Sequence, residues 1–136
     1  MSERREVTLA SRIESVEEAA KEAESFARQA GLGDEYIFAI DMAVRESVAN
    51  AVKHGNKFDD AKIVEIAFEK DDSALHVCVR DFGNGFDYQH VPDPTDPENL
   101  LKANGCGILF MRTFMDEVEW VMPEGGGIAV KMLKKL

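Results

Sequence analysis

Polar and apolar residues alternate through Arg5-Glu6-Val7-Thr8-Leu9-Ala10, the period of a half-buried strand. Ser15-Val16-Glu17-Glu18 then forms a capping-box pattern, and Val16, Ala19, Ala20, Ala23, Phe26, Ala27 and Ala30 follow at helical spacing up to a natural stop at Gly31. Asp34 is placed to cap a second, longer helix. Its apolar stripe is Ile37, Ile40, Val44, Val48 and Ala51, and it ends near Gly55-Asn56. Strict alternation returns over residues 63–69, with Val64, Ile66 and Phe68 on one face. Asp71-Asp72-Ser73 is a turn, and Leu75, Val77 and Val79 mark the strand that completes a hairpin.

Residues 83–105 have a different texture: three of the chain's 4 prolines (Pro92, Pro94, Pro97), several acids and few large apolar residues. That pattern reads as a long functional loop with room for one helical turn at 97–102. A short helix is expected over 108–115. A closing hairpin, residues 118–122 and 128–133, is expected around Gly125-Gly126-Gly127. The order β-α-α-β-β-loop-α-β-β, with strands joined by tight turns, predicts mostly antiparallel pairing. Helices gathered on one face of such a sheet make an α+β two-layer sandwich, here one domain over residues 1–136.

Composition narrows the function. The chain is 45% hydrophobic, enough for a real core. Its net charge of −10 argues against non-specific binding to nucleic acid or to an anionic membrane. No apolar run approaches the roughly 20 residues of a membrane span. The charged start Met1-Ser2-Glu3-Arg4-Arg5-Glu6 lacks the apolar region of a secretory signal. Cys78 and Cys106 lack metal-ligand spacing and suit a reducing, cytoplasmic setting.

Three constellations carry candidate chemistry. On the long helix, Glu46 and Asn50 lie one turn apart, on a face shared with Lys53, Ala39 and Ala43. Two oxygen-bearing side chains so placed suit a hard cation such as Mg²⁺, and a free carboxylate beside it can accept a hydroxyl proton. A solvated polar helix face explains the same residues. The second is Asp81-Phe82-Gly83-Asn84-Gly85, directly after a strand. Gly83 and Gly85 admit close approach of a flat ligand, and Asp81 can accept a hydrogen bond from an exocyclic amine such as adenine's. A tight turn is the plain alternative. The third is Asn104-Gly105-Cys106-Gly107-Ile108 opening a helix, where free backbone N–H groups and the helix end favour an anion. A loop-to-helix junction is the alternative. In a chain with no basic cluster, backbone amides and Mg²⁺ would have to hold a polyphosphate.

Taken together and in this order, the three resemble the GHKL ATPase superfamily of gyrase, heat-shock chaperones, histidine kinases and mismatch-repair proteins. Glu46 to His54 is similar to its N box, Asp81 to Gly85 to its G1 box and Gly105 to Gly107 to its G2 box. The resemblance implies a Bergerat fold with a mixed, mostly antiparallel sheet and an ATP lid at about 86–104. It also implies that Asp81 binds adenine, Asn50 ligates Mg²⁺ and Glu46 is the catalytic base. Gly83, Gly85, Gly105, Gly107, Ile108 and Lys53 would complete the nucleotide site.

Asn50-Ala51-Val52-Lys53-His54-Gly55 and Met115-Asp116-Glu117-Val118 are closer still to the small anti-sigma-factor serine kinases. That resemblance implies an ATP-dependent serine-protein kinase and homodimer whose partners are an anti-sigma-factor antagonist, phosphorylated on serine, and a sigma factor. A non-catalytic module that uses ATP to shape a binding surface is the alternative. Two positions depart from the relatives. Cys106 stands where Leu is common, and no hydroxyl residue occurs at Ala129-Val130-Lys131, which leaves Asp81 more of the base recognition. His54 reads as a helix-end residue, Arg112 as a partner for an acid, and His76 and His90 as surface residues. Met42, Met111, Met115, Met122 and Met132 read as core filler.

Overall fold

A computed structural model describes residues 3–83 and 111–136. Strand β1 (Glu3–Ala10) leads to helices α1 (Ser15–Gln29) and α2 (Asp34–Asn50), then β2 (Ile63–Lys70), β3 (Ala74–Arg80), β4 (Glu117–Val121) and β5 (Ala129–Lys135). The sheet order is β1-β2-β3-β5-β4, and all four pairings are antiparallel among the described residues. The α+β two-layer sandwich is therefore the observed class.

The core lies between the helices and one sheet face, as the alternation dictates. Val64, Ile66 and Phe68 of β2, Leu75, Val77 and Val79 of β3, and Val130 and Met132 of β5 are buried against Ala19, Ala23, Phe26, Ile40, Val44 and Val48. Phe26 stacks on Phe68 with ring centroids 5.5 Å apart. Each fully buried side chain of this size contributes about 1.5–3 kcal/mol. The opposite face carries Arg4, Glu69, His76, Lys131, Glu117 and Glu119, so one side of the sheet stays polar.

Local details differ from the sequence expectation for identifiable reasons. Ser15 does not close a capping box. It is buried, and its hydroxyl donates to the Ala10 carbonyl at 2.7 Å, tying α1 to the end of β1. Gly33, not Asp34, is the N-cap of α2, and Asp34 and Glu35 sit in the first turn, where the helix dipole favours acids. β5 begins one residue later than expected, because Ile128 is engaged with Asp81. Met122 is 55% exposed at the end of the β4 edge, whereas Met111, Met115 and Met132 are core. His76, read as a surface residue, has a partly exposed side chain whose Nε2 lies 3.3 Å from Asp71 Oδ2. The largest departure is at the end of α2, where residues 51–55 form a π turn in place of α-helix.

Candidate functional site

Asp81 is the first residue beyond β3, only 7% exposed. Its backbone N–H donates to the Ile128 carbonyl at 2.9 Å, and the Ile128 N–H returns a bond to Asp81 Oδ1 at 3.2 Å. The Gly83 N–H donates to the same oxygen at 3.0 Å. Both of these bonds fall on Oδ1, which leaves Oδ2 turned toward Gly55. Burial pushes the carboxyl up from its usual range. The N–H groups of Gly83 and Ile128, with Lys62 and Arg80 nearby, pull it back down.

Gly55 and Gly83 are required here by close approach. A Cβ on Gly55 would come 2.0 Å from Asp81 Oδ2, and one on Gly83 would come 1.9 Å from the Gly55 carbonyl oxygen. The π turn is what brings Gly55 to this place. It widens the last helical turn after Asn50, and the chain then leaves through Asn56, whose N–H donates to Ala51 O at 2.8 Å. Asn56 is 1% exposed and fully used. Its Nδ2 donates to Ser11 Oγ and Ile63 O, both at 2.9 Å, and its Oδ1 accepts the Phe82 N–H at 2.9 Å. One side chain thus joins the ends of β1, β2 and β3 beneath Asp81.

Glu46 and Asn50 are half-buried on α2, one turn apart, and neither side chain hydrogen-bonds to another described residue. Ala39 and Ala43, expected on their face, are buried. Lys53, on the π turn, is exposed. Among the described residues no three His, Cys, Asp or Glu side chains gather as a metal cage. An isolated amide oxygen with one carboxylate instead fits Mg²⁺, which keeps waters and takes most of its ligands from substrate phosphates. The expected lid at 86–104 and Gly85, Gly105, Gly107 and Ile108 lie outside the described residues.

Sequence reasoning did not single out Gly55, Asn56 or Ile128 for the site. Gly55-Asn56 carried a signal, a glycine followed by a turn-former at a helix end, which reads as helix termination, and Gly55 also closes the Asn50–Gly55 stretch that resembles the serine kinases. Arg112 is exposed and lines a cleft on the polar sheet face with Asp116 and Glu117. No described helix is long and apolar enough to cross a membrane.

Comparison with known proteins gives the family of the chain. Residues 9–134 match the family described as histidine kinase-like ATPase domain. The chain is 32% identical to the serine-protein kinase RsbW of Staphylococcus epidermidis over 100 residues, which cover 68% of this chain and 62% of the relative. It is 33% identical to the anti-sigma F factor of Anoxybacillus flavithermus over 101 residues, 71% of this chain and 68% of that one. The chain thus spans less than two thirds of the length of the serine-protein kinase it matches. Its fold is similar to the crystal structure of the RsbU and RsbW domains of a Mycobacterium tuberculosis protein, with a TM-score of 0.68 at 20% identity, covering 98% of this chain and 32% of the other. The chain belongs to the histidine kinase-like ATPase domain family.

Proposed function

We propose that the protein binds ATP and Mg²⁺ and phosphorylates a serine on a small anti-sigma-factor antagonist, acting as an anti-sigma factor toward a sigma factor. The observation that carries this reading is Asp81: a buried carboxylate with Oδ1 held by two backbone N–H groups and Oδ2 left for a ligand donor. The names of the relatives, serine-protein kinase and anti-sigma F factor, supply the reaction and partner classes.

Asp81 Oδ2 accepts the exocyclic amine of adenine. Gly55 and Gly83 let the π turn close on Asp81 and so set where Oδ2 stands, and Gly85 completes the base site. Asn50 would hold Mg²⁺, which when bound would neutralise charge on the transferring phosphoryl group. Backbone amides at Gly105, Gly107 and Ile108 cradle phosphate oxygens, with Lys53 at the rim. Glu46 accepts the serine proton as the phosphoryl group transfers in line. The protein works as a homodimer in the cytoplasm.

Calorimetric titration of ATP with and without Mg²⁺ tests the metal arm. Asn50→Ala is expected to weaken Mg²⁺-dependent binding by about tenfold while metal-free binding stays within a few-fold. An equal fall in both removes Asn50 as a ligand. Phosphate incorporation into the antagonist tests the reaction. Tight ATP binding with no incorporation would favour a non-catalytic regulatory module.

A further inference from the structure

Arg80, the last residue of β3, precedes Asp81 and makes a set of contacts that the proposed chemistry does not use. It stands in register between Glu65 of β2 and Ala129 of β5. Strand alternation puts it on the face opposite Val79, away from the helices. Its Nη2 donates to the Gly126 carbonyl at 2.9 Å and to the Glu124 carbonyl at 3.3 Å, both in the turn between β4 and β5. Its guanidinium carbon lies 4.5 Å from the centre of the Phe82 ring. Its Nε is buried with no hydrogen-bond partner among the described residues. The group is therefore committed to the turn and to Phe82.

That turn contains Gly125, Gly126 and Gly127, at φ +98, +103 and +77. Three successive glycines in the left-handed region have the greatest freedom to lose on ordering. They must nevertheless be ordered, because Gly127 packs on the site itself: a Cβ there would come 1.9 Å from the Asp81 carbonyl oxygen and 3.0 Å from Phe82 Cα. The next residue, Ile128, supplies the N–H that holds Asp81 Oδ1.

We infer that Arg80 is a positioning residue for base recognition: it straps the glycine turn to the end of β3 and so keeps the Ile128 amide on Asp81. With Oδ1 fixed from two sides, Oδ2 meets an amine donor in one orientation. Without the strap the turn opens, one N–H leaves Oδ1, and the carboxylate rotates. Adenine then loses its advantage over a purine bearing a 6-keto group. Arg80 itself touches no nucleotide. The inference rests on the reading of Asp81 given above.

The test uses the full chain as wild type, Arg80→Ala and Arg80→Lys, with two readouts. Amide hydrogen exchange followed by NMR reports the strap without any ligand. Titration with ATP and with ITP, which carries a keto group in place of the amine, reports base reading. In Arg80→Ala the Ile128 amide should exchange at least about tenfold faster while amides of the β2–β3 ladder keep their rates. ATP affinity should fall about tenfold with ITP affinity unchanged within twofold, and Arg80→Lys should recover part of the preference. General destabilisation would lower both nucleotides together and speed exchange throughout the sheet, which would overturn the inference. Unchanged Ile128 exchange removes the strap, and faster exchange with the ATP preference intact removes the positioning role. A wild type that binds ATP and ITP equally contradicts the reading of Asp81 before any variant is made, and takes the specificity role with it.

Discussion

Gly55 and Asp81 are in contact across the end of the sheet, and no side chain fits between them: a Cβ on Gly55 would lie 2.0 Å from Oδ2 and 2.2 Å from Cγ of Asp81. The glycine that ends the π turn and the acid that follows β3 therefore form one unit. Gly55→Ala must displace the Asp81 side chain, which is held by two N–H bonds. Gly83→Ala meets the Gly55 backbone oxygen at 1.9 Å, where no rotamer change relieves the clash. The two variants should behave differently. Gly55→Ala is expected to lower ATP affinity at least about tenfold with a modest drop in Tm, whereas Gly83→Ala should lose about 1–3 kcal/mol of stability or more. Calorimetry and thermal melts read the two effects. Wild-type ATP affinity in Gly55→Ala would contradict the pairing.

Asp81→Asn separates recognition from folding. Burial raises the Asp81 carboxyl above its usual range, so its ionised form at neutral pH opposes folding. A folded pKa above the unfolded value means that this cost is present at neutral pH and is relieved as pH falls through the folded pKa. Asparagine removes the charge and keeps an oxygen for the Gly83 and Ile128 N–H groups. The apo Tm should be unchanged or higher, while ATP affinity falls roughly tenfold to a hundredfold, because an NH₂ now faces the adenine amine. A variant that melts lower and binds ATP normally would overturn both halves.

A different acid should set part of the pH dependence of stability. The Asp71 carboxyl is held down at about 2, first by the backbone N–H groups of Ser73 and Ala74, then by the Ser73 hydroxyl and His76. A depressed folded pKa means that its contribution is complete above the unfolded value of about 3.9 and is lost as pH falls further. The loss runs through about 2. Carboxyl ¹³C titration should place the Asp71 midpoint near 2. A midpoint close to the unfolded value would show the β2–β3 turn lacks these bonds in solution.

The fold was legible because its determinants are local and repeated. Val64, Ile66 and Phe68 alternate, and Val44 and Val48 return each turn, so strand and helix faces follow from spacing. Glu46, Asn50 and Asp81 could be picked out as candidates because their residue types and order stand out. The π turn was not, since one added residue per turn leaves no mark in the apolar stripe that ends at Ala51. Asn56 was hidden for a related reason. Its three bonds go to Ser11, Ile63 and Phe82, far apart in sequence, and no local pattern encodes them. Ile128 acts through its backbone, to which its side-chain identity is blind. The Ser15 capping box failed because a tertiary acceptor, Ala10 O, outcompeted the helix N-terminus for the hydroxyl.

Glu46→Gln distinguishes proton transfer from binding most directly. Glutamine keeps the shape of the side chain and an oxygen, but not the basicity. The measurement is phosphoserine formation on the antagonist, followed by mass spectrometry beside an ATP titration of the same variant. ATP affinity should stay within a few-fold while the rate of phosphoryl transfer falls about 10²–10⁴-fold. Phosphorylation at the wild-type rate by Glu46→Gln would contradict the assignment of Glu46 as the base.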